Sequence, residues 1–179
     1  TGVLSGTPTK AGQFTFNVSV SDPTESSATG TFQITVVLPP LPPVTYTQVG
    51  TSAQPGQQPK FGLHLGQAYP ATINGTVNLT FAADRGADDP AVQFSNGGRS
   101  MPFTIPSGQL DADFGSILAA LQTGTVAGTI TLTAAISADE QNLTPSPAPQ
   151  HTIRIASIAP VISRLELNRV TGGFELIVT

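Results

Sequence analysis

Residues 124–137 read GTVAGTITLTAAIS, and their side chains fall into two sets with a period of two. The apolar set, which would face a core, comprises Val126, Ile130, Leu132, Ala134 and Ile136. The polar set, which would face water, comprises Thr125, Thr129, Thr131, Thr133 and Ser137. Strands with one buried face alternate in this way, whereas amphipathic helices repeat every three to four residues. The stretch therefore predicts a long, half-buried β-strand.

The composition favours the same class of structure. Only 10% of the 179 residues are charged, while the chain has 18 glycines and 16 prolines, which suits short strands joined by many turns. The net charge is −4 and the seven basic residues form no cluster, so no nucleic-acid partner is expected. The chain has no cysteine for a disulfide or thiolate site, and no apolar run approaches the roughly 18 residues of a membrane span. We therefore expect an all-β fold without membrane insertion.

Residues 2–22 carry a family pattern in the segment GVLSGTPTKAGQFTFNVSVSD. The pattern positions are Gly2, Leu4, Gly6, Thr7, Pro8, Gly12, Phe16, Val18, Val20 and Asp22. The segment resembles the bacterial immunoglobulin-like repeats, of haemagglutinin or adhesin type, found in large secreted or surface proteins, and the resemblance covers about residues 1–37. It implies an immunoglobulin-like β-sandwich, an extracellular or cell-surface location, and that residues 1–38 are the C-terminal part of a domain whose earlier strands are absent.

The periodicity of residues 13–37 agrees with that resemblance. Phe14, Phe16, Val18 and Val20 alternate with polar residues, and after a polar loop Phe32, Ile34 and Val36 do the same. This predicts a hairpin with one apolar face. Each such side chain contributes about 1.5–3 kcal/mol when buried, and an isolated hairpin is marginally stable, so the face is expected to be covered.

A proline-rich stretch follows the predicted hairpin. Residues 38–44 read LPPLPPV, and residues 39–43 are interpreted as a stiff linker between domains because proline fixes φ and favours extended backbone. A PxxP recognition ligand is the alternative interpretation.

Residues 44–158 are expected to form a complete immunoglobulin-like sandwich. The predicted strands are 44–49, 61–66, 75–82, 91–95, 101–106, 116–122, 124–137 and 150–156, with turns at Asn74-Gly75, Asn96-Gly97-Gly98 and Pro106-Ser107-Gly108. Residues 110–122 could instead form one or two helical turns, because Ile117, Leu118 and Leu121 have helical spacing.

Residues 159–179 are expected to be the N-terminal strands of a further β domain. The sequence thus predicts an all-β chain of tandem immunoglobulin-like antiparallel β-sandwiches, with the first and last domains truncated. Because the apolar faces of 13–37 and 161–179 lack partners, the two segments are expected to pair with each other, either within one molecule or, more easily, by strand exchange between chains.

The acidic loop around residues 84–90 is the candidate metal site. Asp84, Asp88 and Asp89 lie within six residues of one another, and calcium prefers several carboxylate and carbonyl oxygens. The alternative is a solvated turn in which the carboxylates cap backbone amides. Asp22 with Glu25 invites the same two interpretations. Calcium is the one cofactor candidate, and no other cofactor is expected.

No catalytic constellation emerges from the sequence. Asp111 and Asp113 alternate on one face, as a general acid and base might, but no histidine neighbours them in sequence. His64 and His151 lie on polar faces of different predicted strands and are interpreted as exposed sheet residues.

The predicted function is a non-catalytic structural or adhesive segment of a bacterial extracellular or cell-surface protein, with neighbouring immunoglobulin-like domains as partners. The alternative is a β-sandwich module that binds carbohydrate or another ligand. Glycan recognition usually needs exposed aromatic rings, and Tyr46 and Tyr69 are the only tyrosines in a chain without tryptophan.

Overall fold

The computed structural model describes residues 2–8, 10–24, 26–159 and 163–178, and every regular element within these ranges is a β-strand. The strands are β1 (Gly12–Ser21), β2 (Ser27–Val36), β3 (Val44–Thr47), β4 (Ser52–Ala53), β5 (Gly62–Leu65), β6 (Ile73–Ala83), β7 (Val92–Phe94), β8 (Ser100–Ile105), β9 (Leu121–Thr123), β10 (Gly128–Ala138), β11 (Gln141–Asn142), β12 (Gln150–Ile155), β13 (Leu165–Val170) and β14 (Gly173–Val178). The predicted all-β class is confirmed.

Strand β10 lies at the centre of the largest sheet, between β6 and β12. Its eleven residues pair antiparallel with β6, and its inward side chains Ile130, Leu132 and Ala134 are fully buried. The predicted alternation is confirmed from Gly128 onward. Residues 124–127 precede the strand, and Val126 is only half-buried.

Two layers enclose one apolar core. The larger sheet has the order β4-β12-β10-β6-β8, with β11 paired to the end of β10. Its neighbours are antiparallel except β4, which runs parallel to β12. The opposite layer contains the pairs β3–β5 and β7–β9, which are joined by backbone bonds such as Phe61 N to Ala119 O (2.9 Å). Buried side chains from both layers pack together, including Leu65 and Phe94 from the smaller layer and Val77 and Ile153 from the larger.

Residues 110–113, here called the bridging segment, connect the two layers along one side. Ala112 N donates to Leu63 O of β5 (2.9 Å), while Asp113 and Thr104 of β8 exchange two backbone hydrogen bonds (2.7 and 2.9 Å). The segment thereby occupies the edges of β5 and β8, whose backbone groups would otherwise be unpaired.

The helical alternative for residues 110–122 is wrong, and the strand predicted at 116–122 is mostly wrong. Only Leu121–Thr123 forms a strand, β9, with one isolated bridge at Ala120. The Asp113 carboxylate accepts the Gly115 N–H (2.7 Å), and Gly115 has a φ of 70°, so the chain turns where either element would need regular backbone.

The turn predicted at Asn74-Gly75 is also wrong, because both residues lie inside β6. A Cβ at Gly75 would lie 2.3 Å from Phe103 Cζ and 2.6 Å from the carbonyl oxygen of Ala135. Glycine therefore serves close packing here rather than a turn. Each of the other predicted strands overlaps an observed strand, at 44–49, 61–66, 75–82, 91–95, 101–106 and 150–156, whereas β4 and β11 were not predicted.

Two hairpins stand outside the sandwich. Strands β1 and β2 pair over ten residues each. Apolar residues lie directly opposite one another, for example Phe14 and Ile34. Strands β13 and β14 pair in the same way, with Leu167 opposite Leu176. The hairpin predicted within 13–37 is confirmed. In the predicted segment 159–179, residues 160–162 and 179 lie outside the described part of the chain.

Candidate functional site

Two of the three candidate calcium ligands are held by arginines. The Arg99 guanidinium forms two hydrogen bonds with the Asp88 carboxylate, at 2.7 and 2.9 Å. Arg154, from β12, binds Asp84 in the same bidentate manner, with Nη1 2.6 Å from Oδ1. In both pairs the arginine hydrogen bonds are the main reason why the pKa of the aspartate lies below its ordinary value.

The third, Asp89, is buried and capped by backbone amides. Its Oδ1 accepts the Ala91 N–H (2.9 Å), and its Oδ2 accepts the N–H groups of Thr125 (2.8 Å) and Val126 (3.2 Å). These bonds, led by the one from Thr125, hold the pKa of Asp89 below its usual range. Gly124 directly precedes these amides and has a φ of 63°. A Cβ at this position would lie 2.4 Å from the Asp89 carboxylate, so glycine leaves the space that the carboxylate occupies.

The acidic loop is therefore organised by protein contacts. Among the described residues, no group of three or more His, Asp or Glu side chains is arranged to hold a metal ion. The carboxylates of Asp84, Asp88 and Asp89 bind different partners. The contacts of Asp89 match the capping interpretation, whereas Asp84 and Asp88 are ion-paired with arginines, and calcium binding there stays a prediction of the sequence.

Asp22 forms a similar local turn. Its Oδ1 accepts hydrogen bonds from the backbone N–H groups of Thr24 (2.8 Å) and Ser26 (3.0 Å) and from the Thr24 hydroxyl (2.7 Å). The hydroxyl bond is the largest cause of the lowered pKa of Asp22. Glu25, the other residue of this predicted pair, lies outside the described residues.

Asp111 and Asp113 do not meet as a pair of carboxylates. Asp111 Oδ1 lies 2.7 Å from His64 Nδ1, at the edge of β5, while Asp113 caps Gly115. The His64 and Asp111 side chains are 39% and 78% exposed, so this is a surface contact. The sequence missed it because 47 residues separate the two and only the bridging segment brings them together. The sequence spacing alone could not reveal which strand neighbours Asp111.

The aromatic residues considered for glycan binding are not exposed as platforms. Tyr69 is 2% exposed and donates its hydroxyl hydrogen to Pro39 O (2.8 Å), so its ring lies inside. Tyr46 is half-buried beside His151, and its hydroxyl has no hydrogen-bond partner among the described residues. Burial raises the pKa of both hydroxyls, and the Asp139 charge adds to the effect at Tyr69.

The proline-rich stretch packs onto the sandwich. Leu38 and Leu41 are partly buried against the core, and Pro43 O accepts the Gly66 N–H (2.8 Å). Together with the Tyr69 contact to Pro39, these interactions fix residues 38–43 along the sandwich surface. The stretch is not a free tether.

A second contact ties the first hairpin to the sandwich. The N–H of Ala11, which is buried, donates to the Asp139 carboxylate (3.0 Å). Asp139 and Glu140 connect β10 to β11 with φ values of 45° and 63°, the left-handed pair that a tight hairpin turn requires. This contact and residues 38–43 form what we call the junction.

An apolar groove lies on the β1–β2 hairpin. It has a volume of about 410 Å³ and lies between residues 4–8 and the apolar face, where Phe14, Ile34 and Val36 line it. A smaller groove of about 230 Å³ on the sandwich is lined by Gln48, Asp111 and their neighbours. Within the described ranges no helix is long and apolar enough to cross a membrane.

Comparison with known protein families finds a match to the first part of this chain. The model of the "Putative Ig domain" family (He_PIG) matches residues 1–37, which include the β1–β2 hairpin. No curated protein matches the chain. Immunoglobulin-like domains of this family are generally non-catalytic. The chain is thus an all-β protein whose first 37 residues are similar to an immunoglobulin-like module.

Proposed function

We propose that this chain is a non-catalytic, immunoglobulin-like spacer segment of a bacterial extracellular or cell-surface protein, with a structural or adhesive role. Its partners would be the neighbouring immunoglobulin-like domains of the same protein. The observation that carries the proposal is the packed junction between the β1–β2 hairpin and the sandwich. The similarity of residues 1–37 to an immunoglobulin-like family supports it.

The junction fixes the direction in which the chain leaves the sandwich. Prolines alone make a linker semi-rigid, because they restrict φ and cannot donate a backbone hydrogen bond. Here residues 38–43 add the partial burial of Leu38 and Leu41, and the Ala11 contact to Asp139 fixes a second point. Two separated contacts restrict rotation as well as distance, which a spacer needs and a simple tether does not.

The connections at the two ends of β10 support the same function. The β1–β2 hairpin is attached at Asp139, directly after β10 ends at Ala138. Strand β12, which leads to the second hairpin, ends at Ile155 opposite Gly128, the first residue of β10. Eleven residues of strand span about 35 Å, so the two connections are separated by the length of the sandwich. Domains joined in this way would extend in line.

Backbone ¹⁵N relaxation of the purified chain tests the rigid junction. We expect the amides of β1 and β2 to share the rotational correlation time of β10. The double variant Tyr69→Phe with Asp139→Ala removes the two side-chain contacts, and the hairpin should then tumble faster than the sandwich. Glu140→Ala, which changes the neighbouring turn residue, is the matched control and should behave like the wild type.

Independent tumbling of the hairpin in the wild type would refute the spacer proposal, as would a double variant indistinguishable from the control. The surface location has its own test. Antibodies against the sandwich should label intact cells of the source bacterium, and labelling only after lysis would contradict it.

The ligand-binding alternative has weaker support. The tyrosine rings on which it depends are buried or half-buried, and the exposed aromatic rings Phe14, Phe32 and Phe174 lie on the apolar faces of the two hairpins.

A further inference from the structure

The dipeptide Asn-Gly occurs twice in the chain, at residues 74–75 and 96–97. Asparagine followed by glycine is prone to spontaneous deamidation, because glycine has no Cβ to keep its backbone nitrogen away from the preceding carboxamide. The two copies lie in opposite structural settings, one in a surface turn and one inside the largest sheet. We propose that Asn96 is a site of spontaneous covalent modification in the folded protein, whereas Asn74 is protected by the sheet.

The reaction needs water as its one co-reactant. The backbone nitrogen of Gly97 loses its proton to solvent and attacks Cγ of Asn96, so that an N–Cγ bond forms. The Cγ–Nδ2 bond then breaks, and Nδ2 takes up a proton and leaves as ammonia. Water opens the resulting five-membered succinimide at either carbonyl carbon, which yields aspartate or isoaspartate. One water is consumed and one ammonia is released, with no change in oxidation state.

The hydrogen bonds that hold Asn96 are local to its turn, which connects β7 to β8. The Asn96 side chain accepts the Gly98 N–H (3.0 Å) and donates from Nδ2 to Ser100 O (2.9 Å). The Gly97 N–H, whose proton must leave, donates to Phe94 O (2.9 Å). These bonds can break while β7 stays paired with β9 and β8 with β6, and openings of such exposed turns cost little free energy.

The surroundings of Gly97 leave room for ring closure. Gly97 has a φ of 82°, and a Cβ built there would meet no atom of the described residues within 4 Å. Closure requires the backbone of Asn96 to rotate until the Gly97 nitrogen lies beside Cγ. A glycine after the asparagine permits that rotation over a wide range of φ. Once the local bonds open, the two atoms that must join can therefore meet.

Asn74 lies in β6, where both neighbouring strands restrain it. It pairs with Ser137 of β10 on one side and with Thr104 of β8 on the other. Extended backbone holds the nitrogen of the next residue away from the asparagine side chain. A Cβ at Gly75 would lie 2.3 Å from Phe103 Cζ, so this neighbourhood is also too crowded for rotation. Reaction at Asn74 therefore requires the sheet itself to open.

The modification would alter the end of a core strand. Phe94 is fully buried, and its N–H donates across the turn to Gly98 O (2.7 Å). Isoaspartate at position 96 lengthens the main chain of the turn by one methylene, and either product removes the amide donor from Ser100 O. Both changes displace the turn from the Phe94 amide. We therefore expect modification to loosen this turn while the sheets persist.

Peptide mapping of the full chain tests the proposal. The folded protein is incubated in mildly alkaline buffer, and samples taken over several weeks are digested with trypsin. Cleavage after Lys60, Arg85 and Arg99 separates Asn74 and Asn96 into peptides 61–85 and 86–99. Fragment spectra locate the exchange of NH₂ for OH, and a sample digested at time zero corrects for reaction during digestion. Asn96 should react at least about a hundredfold faster than Asn74, because opening a central strand costs far more than opening a surface turn.

The same chain unfolded in urea is the control for sequence effects. Both asparagines precede glycine, so their rates should become comparable once the fold is removed. Asn96→Gln is the matched variant, because glutamine keeps the carboxamide but must close a larger ring. The mass change in peptide 86–99 should then disappear. In the aged wild type, the Phe94 amide should exchange hydrogen at least about threefold faster than in fresh protein, because its partner Gly98 is displaced.

Three results would overturn the proposal. The first is a folded chain in which Asn96 reacts no faster than Asn74. The second is an Asn96 that stays unmodified in the folded chain and reacts readily in urea, because the local hydrogen bonds would then protect it. The third is a faster reaction at Asn96 that persists in urea, which would trace the difference to sequence. Unchanged exchange at Phe94 after modification would refute the loosened turn. The test does not depend on the junction or on surface location, so it can fail while the spacer proposal stands.

Discussion

Replacing Asp89 with asparagine is the sharpest test of the view that the acidic loop is a structural cap. Asparagine has nearly the same shape but no charge, and one of its two terminal groups is an N–H donor. In the folded protein that donor would have to face a backbone N–H, because both carboxylate oxygens of Asp89 accept from backbone amides.

The expected loss follows from those contacts. Ala91 N lies 2.9 Å from one carboxylate oxygen, and the N–H groups of Thr125 and Val126 lie 2.8 and 3.2 Å from the other. A hydrogen bond to a charged group contributes about 1.5–3 kcal/mol, and the contributions do not add fully within one site. Since one acceptor remains in the variant, we expect Asp89→Asn to lower the free energy of unfolding by about 2–4 kcal/mol.

Urea unfolding across a pH series checks both the size and the origin of this loss. The pKa of Asp89 is lower in the folded protein than in the unfolded chain, where it is about 3.9. Its stabilisation is therefore fully present above about pH 5 and is lost as the pH falls through the folded pKa. The difference between wild type and Asp89→Asn should narrow below about pH 4.

Asp113→Asn is the matched control, since Asp113 is exposed and accepts a single local N–H from Gly115 at 2.7 Å. It should cost less than about 1 kcal/mol. If Asp89→Asn costs no more than this control, or if its cost is the same at pH 7 and pH 3, the capping account of the loop is wrong.

Two further changes test the packing of the sandwich. Tyr46→Phe removes a buried hydroxyl without a partner among the described residues, so it should stabilise the fold by about 1 kcal/mol in urea unfolding, and a loss of stability would contradict this. Gly75→Ala should destabilise by about 3 kcal/mol because its Cβ would overlap Phe103 and a backbone carbonyl, whereas the turn variant Gly98→Ala should stay within about 0.5 kcal/mol of the wild type by the same measurement.

Local patterns were sufficient for most of the strands. The alternation around Ile130 and Ile153 predicted β10 and β12 because burial of one face repeats every second residue, whatever the partners are. Strands β4 and β11, of two residues each, carry too few side chains to show any period. Gly75 was wrongly predicted to lie in a turn, because glycine permits both a turn and close packing of a neighbouring side chain. Only the position of Phe103 distinguishes the two.

The candidate site depended on contacts distant in sequence. The cluster of aspartates was visible at residues 84–89, but Arg154 lies 70 residues after Asp84, and the amides that cap Asp89 belong to residues 125 and 126. A cluster of aspartates in the sequence shows that several carboxylates lie close together, but it does not show which cations or N–H groups bind them. The contact between Asp111 and His64 could not be predicted for the same reason, because it forms only when the bridging segment lies beside β5.

The parallel pairing of β4 with β12 has a mechanical consequence. Strand β4 follows β3, the N-terminal strand of the sandwich, and β12 is the last strand of the sandwich. Strands β4 and β12 pair at Arg154 and Ile155, and Arg154 N donates to Thr51 O at 2.8 Å. When tension pulls on both ends of the sandwich, the two strands are drawn in opposite directions along their length. Their hydrogen bonds are then loaded together in shear instead of opening one after another, so the first and last parts of the domain resist separation as a unit.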